Sequence, residues 1–360
     1  MLKCIGSFPL RIAQRAASST GLMYKQHGEP RDVLSLTERE LGSLKEDEVL
    51  IKMCAAPINP SDINTIQGVY PVKPSLPAVA GNEGVGRVMS CGSKVDSLKV
   101  GDLVIPAALS SGMWQTQFHA KPQNLIRVAH PLPVEQAAIL YVNPGTAYRM
   151  LSDFCELKSG DIVLQNGSNS AVGIYVIQIA KLLGLRTVNL FRARTTKQAT
   201  EEMRSTLFSY GATWALTEEE LIDSNNSISK DIRQAGPIKL ALNCLGGKPA
   251  VTQLKFLSEA GTLVSYGAMT RSPIPLPAGP LLFRDIRLRG FWLTRWTNQE
   301  PRAKLTAMID QLAEWFSHGK LRTSPFVSFP LEEWKEAVEL SSFTDQMPSA
   351  IKQKVMFSME

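Results

Sequence analysis

A strand-sized segment, a loop of small residues and a helix follow one another over residues 161–184, in the order that makes an anion site. Residues 161–166 are a strand-sized run with Ile162-Val163-Leu164 at its centre, and residues 167–173 form the loop. Apolar residues then recur at helical spacing as far as the candidate cap Gly184. Unpaired N–H groups and the helix dipole favour a phosphate at such a helix N-terminus. Ser170 and Ala171 stand where the G-x-G-x-x-G pattern has glycines, so the loop alone fits a plain strand–helix turn equally well.

Two arginines at the end of the next strand give this site its second feature. The strand over residues 186–191 leads into Arg192-Ala193-Arg194, which begins 25 positions after Gly167. An NAD site places an acid about 20 residues after the loop, where it binds the ribose 2′-hydroxyl. The two arginines instead match a 2′-phosphate, with about 1.5–3 kcal/mol for each charge-assisted hydrogen bond. The sequence therefore predicts NADPH rather than NADH, the alternative being two solvated surface arginines.

The elements that position these residues change character near residue 151. Residues 24–148 contain short apolar runs broken by Gly and Pro, which predicts a β-rich domain. From residue 151 strands alternate with helices, with strands predicted at 161–166, 186–191, 238–244, 262–267 and 288–293. This alternation predicts an α/β fold with a doubly wound parallel sheet. A helical run over 300–318 precedes strands at 326–329 and 354–357, which we place with the first domain.

Charge and composition exclude several classes of protein. The chain has 360 residues, is 44% hydrophobic and carries a net charge of +6, from 39 Lys+Arg and 33 Asp+Glu. Lys3, Arg11 and Arg15 lie in an acid-free, Ser/Ala-rich opening that is typical of a mitochondrial transit peptide; a disordered N-terminus is the alternative. The remaining charge is ordinary, and no basic stripe is interleaved with aromatics, so nucleic-acid binding is not predicted. No apolar run approaches about 18 residues, so no membrane span is expected.

Cysteines and histidines give no metal or triad signal. The five cysteines are widely spaced and form no C-x-x-C pair, which argues for reduced thiols and against a zinc ribbon. The four histidines show no ligand spacing and no obvious Ser or Cys partner. The sequence therefore predicts no bound metal.

Several longer strings together resemble the medium-chain dehydrogenase/reductase superfamily along nearly the whole chain after residue 22. They are residues 28–34, Asn59-Pro60-Ser61-Asp62, residues 81–86, and the Gly-Asp-x-Val phrase at 101–104 and again at 160–163. The resemblance implies a GroES-like catalytic domain formed by both ends of the chain, a Rossmann domain between them, and a homodimer. The corresponding bounds are a transit peptide at 1–22, the catalytic domain at 23–148, the Rossmann NADPH domain at 149–294, and a return to the catalytic domain at 295–360.

Within the superfamily, residues 58–70, 165–173 and 290–293 are most similar to the zinc-free mitochondrial trans-2-enoyl-CoA/enoyl-ACP reductases. This resemblance implies NADPH-dependent reduction of 2-enoyl thioesters, carried on acyl carrier protein or CoA, in the mitochondrial matrix. The step would complete each elongation cycle of fatty-acid synthesis. An NADPH quinone or enone reductase of the same superfamily is the nearest alternative, and a non-catalytic NADPH-binding protein is a more distant one.

The resemblance also implies roles for individual residues. Tyr70 matches the catalytic tyrosine, which would deliver a proton to the α-carbon after hydride addition at the β-carbon. Lys352 matches a C-terminal cofactor lysine, with Lys354 as the alternative. The other matching cofactor positions are Asn143, Asn169, Ser170, Ala171, Val172, Arg192, Ala193, Arg194, Tyr266, Gly267, Ala268, Met269, Phe291, Trp292 and Leu293.

Three positions depart from the patterns of these relatives. Ala171 replaces a glycine, and Ala193 stands where an acid is frequent. Asn82 stands where the zinc alcohol dehydrogenases have the histidine of Gly-His-Glu. Reduction of an enoyl thioester puts charge into an enolate, which hydrogen bonds and a proton donor can stabilise without a metal.

Overall fold

The computed structural model describes residues 18–342 and 353–359, and strands and helices alternate through most of this part of the chain. In chain order the strands are β1 (Ser18–Tyr24), β2 (Ser35–Glu40), β3 (Val49–Pro57), β4 (Ala78–Val79), β5 (Val85–Cys91), β6 (Leu103–Pro106), β7 (Gln117–Ala120), β8 (Leu125–Arg127), β9 (Ile162–Gln165), β10 (Arg186–Phe191), β11 (Trp214–Thr217), β12 (Ile238–Asn243), β13 (Leu257–Ser265), β14 (Arg287–Gly290), β15 (Phe326–Pro330) and β16 (Lys354–Ser358).

The helices connect these strands and cover the sheets. They are α1 (Pro30–Val33), α2 (Pro60–Ile66), α3 (Val134–Ala138), α4 (Val142–Asp153), α5 (Ala171–Leu182), α6 (Lys197–Tyr210), α7 (Glu218–Ile222), α8 (Ser227–Ala235), α9 (Gly247–Phe256), α10 (Ala278–Arg284), α11 (Leu293–Gln299), α12 (Arg302–Ser317) and α13 (Trp334–Ser342), with short 3₁₀ helices at Pro122–Asn124 and Leu331–Glu333. Within the described ranges, none of the helices combines the length and apolar character that crossing a membrane requires.

The β-rich part of the molecule is built on two sheets. A small sheet has the order β2-β1-β4, and a larger one has the order β15-β16-β3-β5-β6-β8, with β7 also paired to β3. The strand β16 runs antiparallel to β3, with Met356 opposite Pro57. This pairing brings residues that are about 300 positions apart in sequence to the same edge of the site.

The second part is a six-stranded sheet with the order β11-β10-β9-β12-β13-β14, and its paired strands are parallel. The four residues of β9 are all buried, as expected for a central strand covered on both faces. From β9 the chain adds strands first on one side, as β10 and β11, and then on the other, as β12 to β14. The carboxyl ends of β9 and β12, where this order reverses, form a binding crevice. This architecture confirms the α/β fold with a doubly wound parallel sheet.

Two predicted domain boundaries fall inside helices rather than between elements. The boundary at 148/149 lies within α4, and the one at 294/295 lies within α11. Both helices contribute to one apolar cluster that also contains Ile105 from the β-rich part and Val163 from the parallel sheet. The two parts therefore share a core, which the change in sequence rhythm does not reveal.

The expected leader over residues 1–22 overlaps the first strand. Residues 1–17 lie outside the described residues, but residues 18–22 belong to β1, which pairs with β2. Leu22 is completely buried in the core of the β-rich part. The predicted boundary at 22 therefore falls within β1, because a Ser/Ala-rich composition does not distinguish a leader from this short strand.

Candidate active site

The loop after β9 is shaped by two glycines and one serine. A Cβ added to Gly173 would lie 2.6 Å from the Ser168 carbonyl oxygen, and one added to Gly167, whose φ is +60°, would lie 2.4 Å from the Cys244 sulfur. Ser170 caps α5, because its hydroxyl accepts a hydrogen bond from the Gly173 N–H at 3.1 Å. The predicted residues Asn169, Ser170, Ala171 and Val172 are half-buried at this helix start. The two glycines therefore allow the loop to fold tightly against its own backbone and against Cys244.

The two arginines lie beside this loop. Ser168 donates to the Leu190 carbonyl oxygen from both its N–H, at 3.1 Å, and its hydroxyl, at 2.9 Å, which joins the loop to the end of β10. Arg192 and Ala193 follow β10 and are exposed, whereas Arg194 is half-buried. The Arg194 N–H donates to the Thr200 hydroxyl at 3.0 Å, which fixes the backbone of this segment.

Two further predicted segments follow the neighbouring strands β13 and β14. Tyr266 and Gly267 are half-buried, Ala268 and Met269 are exposed, and the Tyr266 N–H donates to the Asn243 carbonyl at 2.9 Å. Phe291 and Leu293 are buried, and the Phe291 N–H donates to the Ser265 carbonyl at 2.9 Å. Segments 266–269 and 291–293 therefore leave the same edge of the sheet as the phosphate loop.

Tyr70 meets the last of these segments directly. The indole N–H of Trp292 donates to the Tyr70 hydroxyl oxygen at 2.8 Å, and the two rings pack edge to face with centroids 5.9 Å apart. Burial raises the pKa of Tyr70; the Trp292 hydrogen bond and the nearby Thr294 hydroxyl act in the opposite direction. An indole nitrogen can only donate, so the Tyr70 oxygen accepts this bond and its own proton remains directed elsewhere.

Comparison with known proteins decides which family this site belongs to. Two family models match the chain: the alcohol dehydrogenase GroES-like domain over residues 45–128 and the zinc-binding dehydrogenase over residues 171–314. The mitochondrial enoyl-acyl-carrier-protein reductase of Caenorhabditis elegans is 43% identical over 348 residues, which are 95% of this chain and 97% of the relative. The chain belongs to the enoyl-acyl-carrier-protein reductase family.

Solved structures agree with this membership. The complex of Etr1p with NADP and crotonyl-CoA has a TM-score of 0.87 and 32% identity, and the match covers 95% of this chain and 100% of that one. The mitochondrial 2-enoyl thioester reductase Etr1p/Etr2p heterodimer from Candida tropicalis has a TM-score of 0.86 and 33% identity, with the same coverage.

Behind the tyrosine, this reductase carries a buried polar cluster to which the sequence assigned no role. Asp62 is 2% exposed and accepts from the N–H groups of Asn59, at 2.6 Å, and Asn82, at 2.7 Å. Glu83 is 1% exposed and accepts from the Asn59 side-chain amide at 2.7 Å and from the Val142 N–H at 2.8 Å. The sequence signal for this cluster was the presence of an acid in each of the motifs at 59–62 and 81–86. Only the fold shows that the two acids are buried together.

The predicted cofactor asparagine lies at the edge of this cluster. Asn143 is buried in the first turn of α4, and its side-chain amide donates to the Asn59 oxygen at 3.2 Å. Lys352 lies outside the described residues. Lys354, its alternative, donates to the Ile58 carbonyl at 2.8 Å and to the Asn59 side-chain oxygen.

In this reductase Asn82, at the position of the Gly-His-Glu histidine of the zinc alcohol dehydrogenases, is held by hydrogen bonds. The Asn82 side-chain amide donates to the Ser61 hydroxyl at 3.0 Å, and its oxygen accepts from Ser110 at 2.8 Å. In the described part of the chain, no three His, Cys, Asp or Glu side chains are arranged to hold a metal ion.

Proposed function

We propose that this protein reduces trans-2-enoyl thioesters to saturated acyl thioesters with NADPH. The reaction is the last step of each elongation cycle in mitochondrial fatty-acid synthesis. The observation that carries the proposal is the Tyr70 hydroxyl, which accepts from Trp292 at the edge where the cofactor segments converge. Family membership supports the substrate class, because the relatives are named enoyl-acyl-carrier-protein reductases.

The residues around the phosphate loop fit a dinucleotide. Gly167 and Gly173 let the loop fold tightly before α5, and the pyrophosphate binds at the N-terminus of this helix near residues 169–172. Arg192 and Arg194 bind the 2′-phosphate at the adjacent strand end, with Ala193 between them. Asn143 and the segments at 266–269 and 291–293 line the nicotinamide end.

The proton step belongs to Tyr70. When bound, NADPH supplies the hydride that adds to the β-carbon of the enoyl thioester. The electrons of the double bond move toward the thioester, and Tyr70 donates its proton to the α-carbon. Because burial raises its pKa, Tyr70 keeps that proton at neutral pH. Trp292 stabilises the tyrosinate that forms, because its N–H already points at the oxygen.

Comparing substrates and one variant tests this function. We expect NADPH oxidation with 2-enoyl-CoAs from C4 to C16, and much weaker oxidation with simple quinones at matched concentration. Tyr70→Phe removes the proton and is expected to lower kcat by about 10²–10⁴-fold with NADPH binding intact. Near-wild-type turnover by Tyr70→Phe would contradict the assigned role, and a preference for quinones would identify a quinone reductase instead.

The proposed location is the mitochondrial matrix, because the relatives are named mitochondrial and the opening residues have a leader composition. Cleavage ahead of Ser18 would leave β1 whole, and Leu22 in that strand is completely buried. Mass spectrometry of the protein recovered from mitochondria gives the first residue. An N-terminus beyond Leu22 would contradict this boundary.

The proposed assembly is a homodimer through β14, one of the two edge strands of the parallel sheet within the described residues. The four residues of β14 are exposed, and on the adjacent α10 Leu282 is 73% and Phe283 is 83% exposed. An unpaired edge strand beside exposed apolar side chains is a surface that a second copy can cover. Light scattering should give a dimer for wild type and a monomer for Leu282→Asp/Phe283→Asp. The control Val100→Asp, at an exposed residue, should remain a dimer. A monomeric wild type would refute the homodimer.

A further inference from the structure

The cluster behind the site contains a lysine from a distant strand. Lys354 is the first residue of β16, and its ammonium reaches the Ile58 carbonyl and the Asn59 side-chain oxygen. Both carboxylates of the cluster, Asp62 and Glu83, interact favourably with this ammonium. The position therefore supplies positive charge to two buried acids.

Asn59 connects the lysine to the site. Its side-chain oxygen accepts from both Lys354 and the Asn143 amide, and its own amide donates to Glu83 at 2.7 Å. If the Asn59 amide rotated by half a turn, its NH₂ group would face an ammonium and its oxygen would face a carboxylate. Lys354 and Glu83 thus hold this amide in the one orientation that accepts from Asn143.

The charges in the cluster depend on one another. Burial raises the pKa of Asp62 to about 7, with the Glu83 charge acting in the same direction, whereas two backbone N–H bonds and Lys354 lower it. Burial also raises the pKa of Glu83, and Lys354 opposes this as well. The tyrosines that face these carboxylates have raised pKa values and stay neutral; they are Tyr24 and Tyr70 toward Asp62, and Tyr141 and Tyr175 toward Glu83.

We propose that Lys354 is a positioning residue for cofactor binding, which acts through the Asn59 amide to orient Asn143. The proposal rests on the cofactor role assigned above to Asn143. Its ammonium reaches Ile58 and Asn59, so the role proposed here for Lys354 is indirect and differs from the direct cofactor contact that the resemblance implies. Its effect is therefore on the affinity for NADPH, and it does not depend on which acyl substrate the enzyme takes.

The first test compares Lys354→Met with Lys335→Met, which removes an exposed lysine from α13. In the full chain, we expect Lys354→Met to raise the Kd for NADPH at least about tenfold, measured by fluorescence titration, and Lys335→Met to leave it unchanged. When folding raises the pKa of an acid, the protein loses stability as pH rises from the unfolded-state pKa to the folded-state pKa of that acid. Removing Lys354 raises both carboxyl pKa values further, so Tm of Lys354→Met should keep falling above pH 7, where the wild-type contribution from Asp62 levels off.

A second variant separates orientation from simple charge balance. Lys354→Met/Glu83→Gln removes one positive and one negative charge, so the buried net charge equals that of wild type and the variant is expected to fold. We expect its Tm above pH 7 to recover, while the Kd for NADPH stays high, because a glutamine lets the Asn59 amide adopt either orientation. Glu83→Gln alone is the reference, and its Kd should remain closer to wild type because Lys354 still holds the Asn59 oxygen.

Two results would overturn the proposal. One is a Kd for Lys354→Met within about twofold of wild type; the other is a double variant that recovers NADPH affinity together with Tm. If Lys354→Met does not fold, the double variant alone decides, since a wild-type Kd refutes the proposal and a raised Kd supports it. A wild-type protein that binds NADPH but reduces no enoyl thioester would refute the proposed function and leave this inference standing.

Discussion

The indole N–H of Trp292 allows a quantitative test of how Tyr70 works. At 2.8 Å it donates to the Tyr70 oxygen, which becomes negative as the proton leaves. A hydrogen bond between neutral groups contributes about 0.5–1.5 kcal/mol and one to a charged group about 1.5–3 kcal/mol. A gain of about 1–1.5 kcal/mol in the transition state corresponds to about 5- to 13-fold in rate. Trp292→Phe keeps an aromatic ring without the N–H, so we expect kcat to fall about tenfold.

The assay is steady-state NADPH oxidation with a 2-enoyl-CoA, using Trp292→Phe, Tyr70→Phe and the double variant. If the indole acts through the tyrosine, the double variant should be no slower than Tyr70→Phe, and the two effects should be non-additive. The Kd for NADPH should stay within about twofold of wild type in Trp292→Phe. If Trp292→Phe slows the Tyr70→Phe enzyme by the same tenfold, the indole acts independently of the tyrosine and the reasoning is wrong.

Three other predictions concern the cofactor loop, the arginines and pH. Arg192→Ala/Arg194→Ala should lower kcat/KM for NADPH by at least about tenfold, because charge-assisted bonds to the 2′-phosphate are lost, and should leave kcat/KM for NADH almost unchanged. Equal use of both cofactors by wild type would contradict this. Gly173→Ala should abolish tight NADPH binding, because its Cβ would lie 2.6 Å from a backbone oxygen, whereas Gly279→Ala, with its nearest contact at 4.0 Å, should bind normally. The raised pKa of Tyr70 places the alkaline loss of kcat above pH 10.0, measured after brief pH jumps, and a loss due to Tyr70 below that pH would argue against the buried donor.

Sequence patterns located most of the parallel sheet. β10 coincides with the predicted strand at 186–191, because Gly184 and the arginine pair bound a short apolar run. β13 begins at Leu257 instead of 262, because its early residues Glu259 and Ala260 are exposed and its pairing with β12 shifts register there. An apolar pattern detects the buried half of such a strand and misses the irregular half.

The candidate site was predictable where it follows the ends of parallel strands. Residues 167–173, 192–194, 266–269 and 291–293 each come directly after a strand, and that order alone brings them together. The contact between Tyr70 and Trp292 joins residues 222 positions apart and depends on side-chain direction. The cluster around Asn59 could not be predicted from the sequence either. Nothing in the sequence spacing of Asp62, Glu83 and Lys354 shows that their side chains lie close together.

The pairing of β16 with β3 determines how late during translation the site can form. Asn59 leaves the ribosome early, but its ammonium partner on β16 lies 295 residues later in the chain. Until translation reaches that strand, β3 is paired only with β5 and β7, and the buried acids lack the ammonium of Lys354. The parallel sheet, by contrast, is complete once β14 has been made, at residue 290. A partly synthesised chain can therefore form the parallel sheet first. The polar cluster around Asn59 is completed only when β16 pairs with β3.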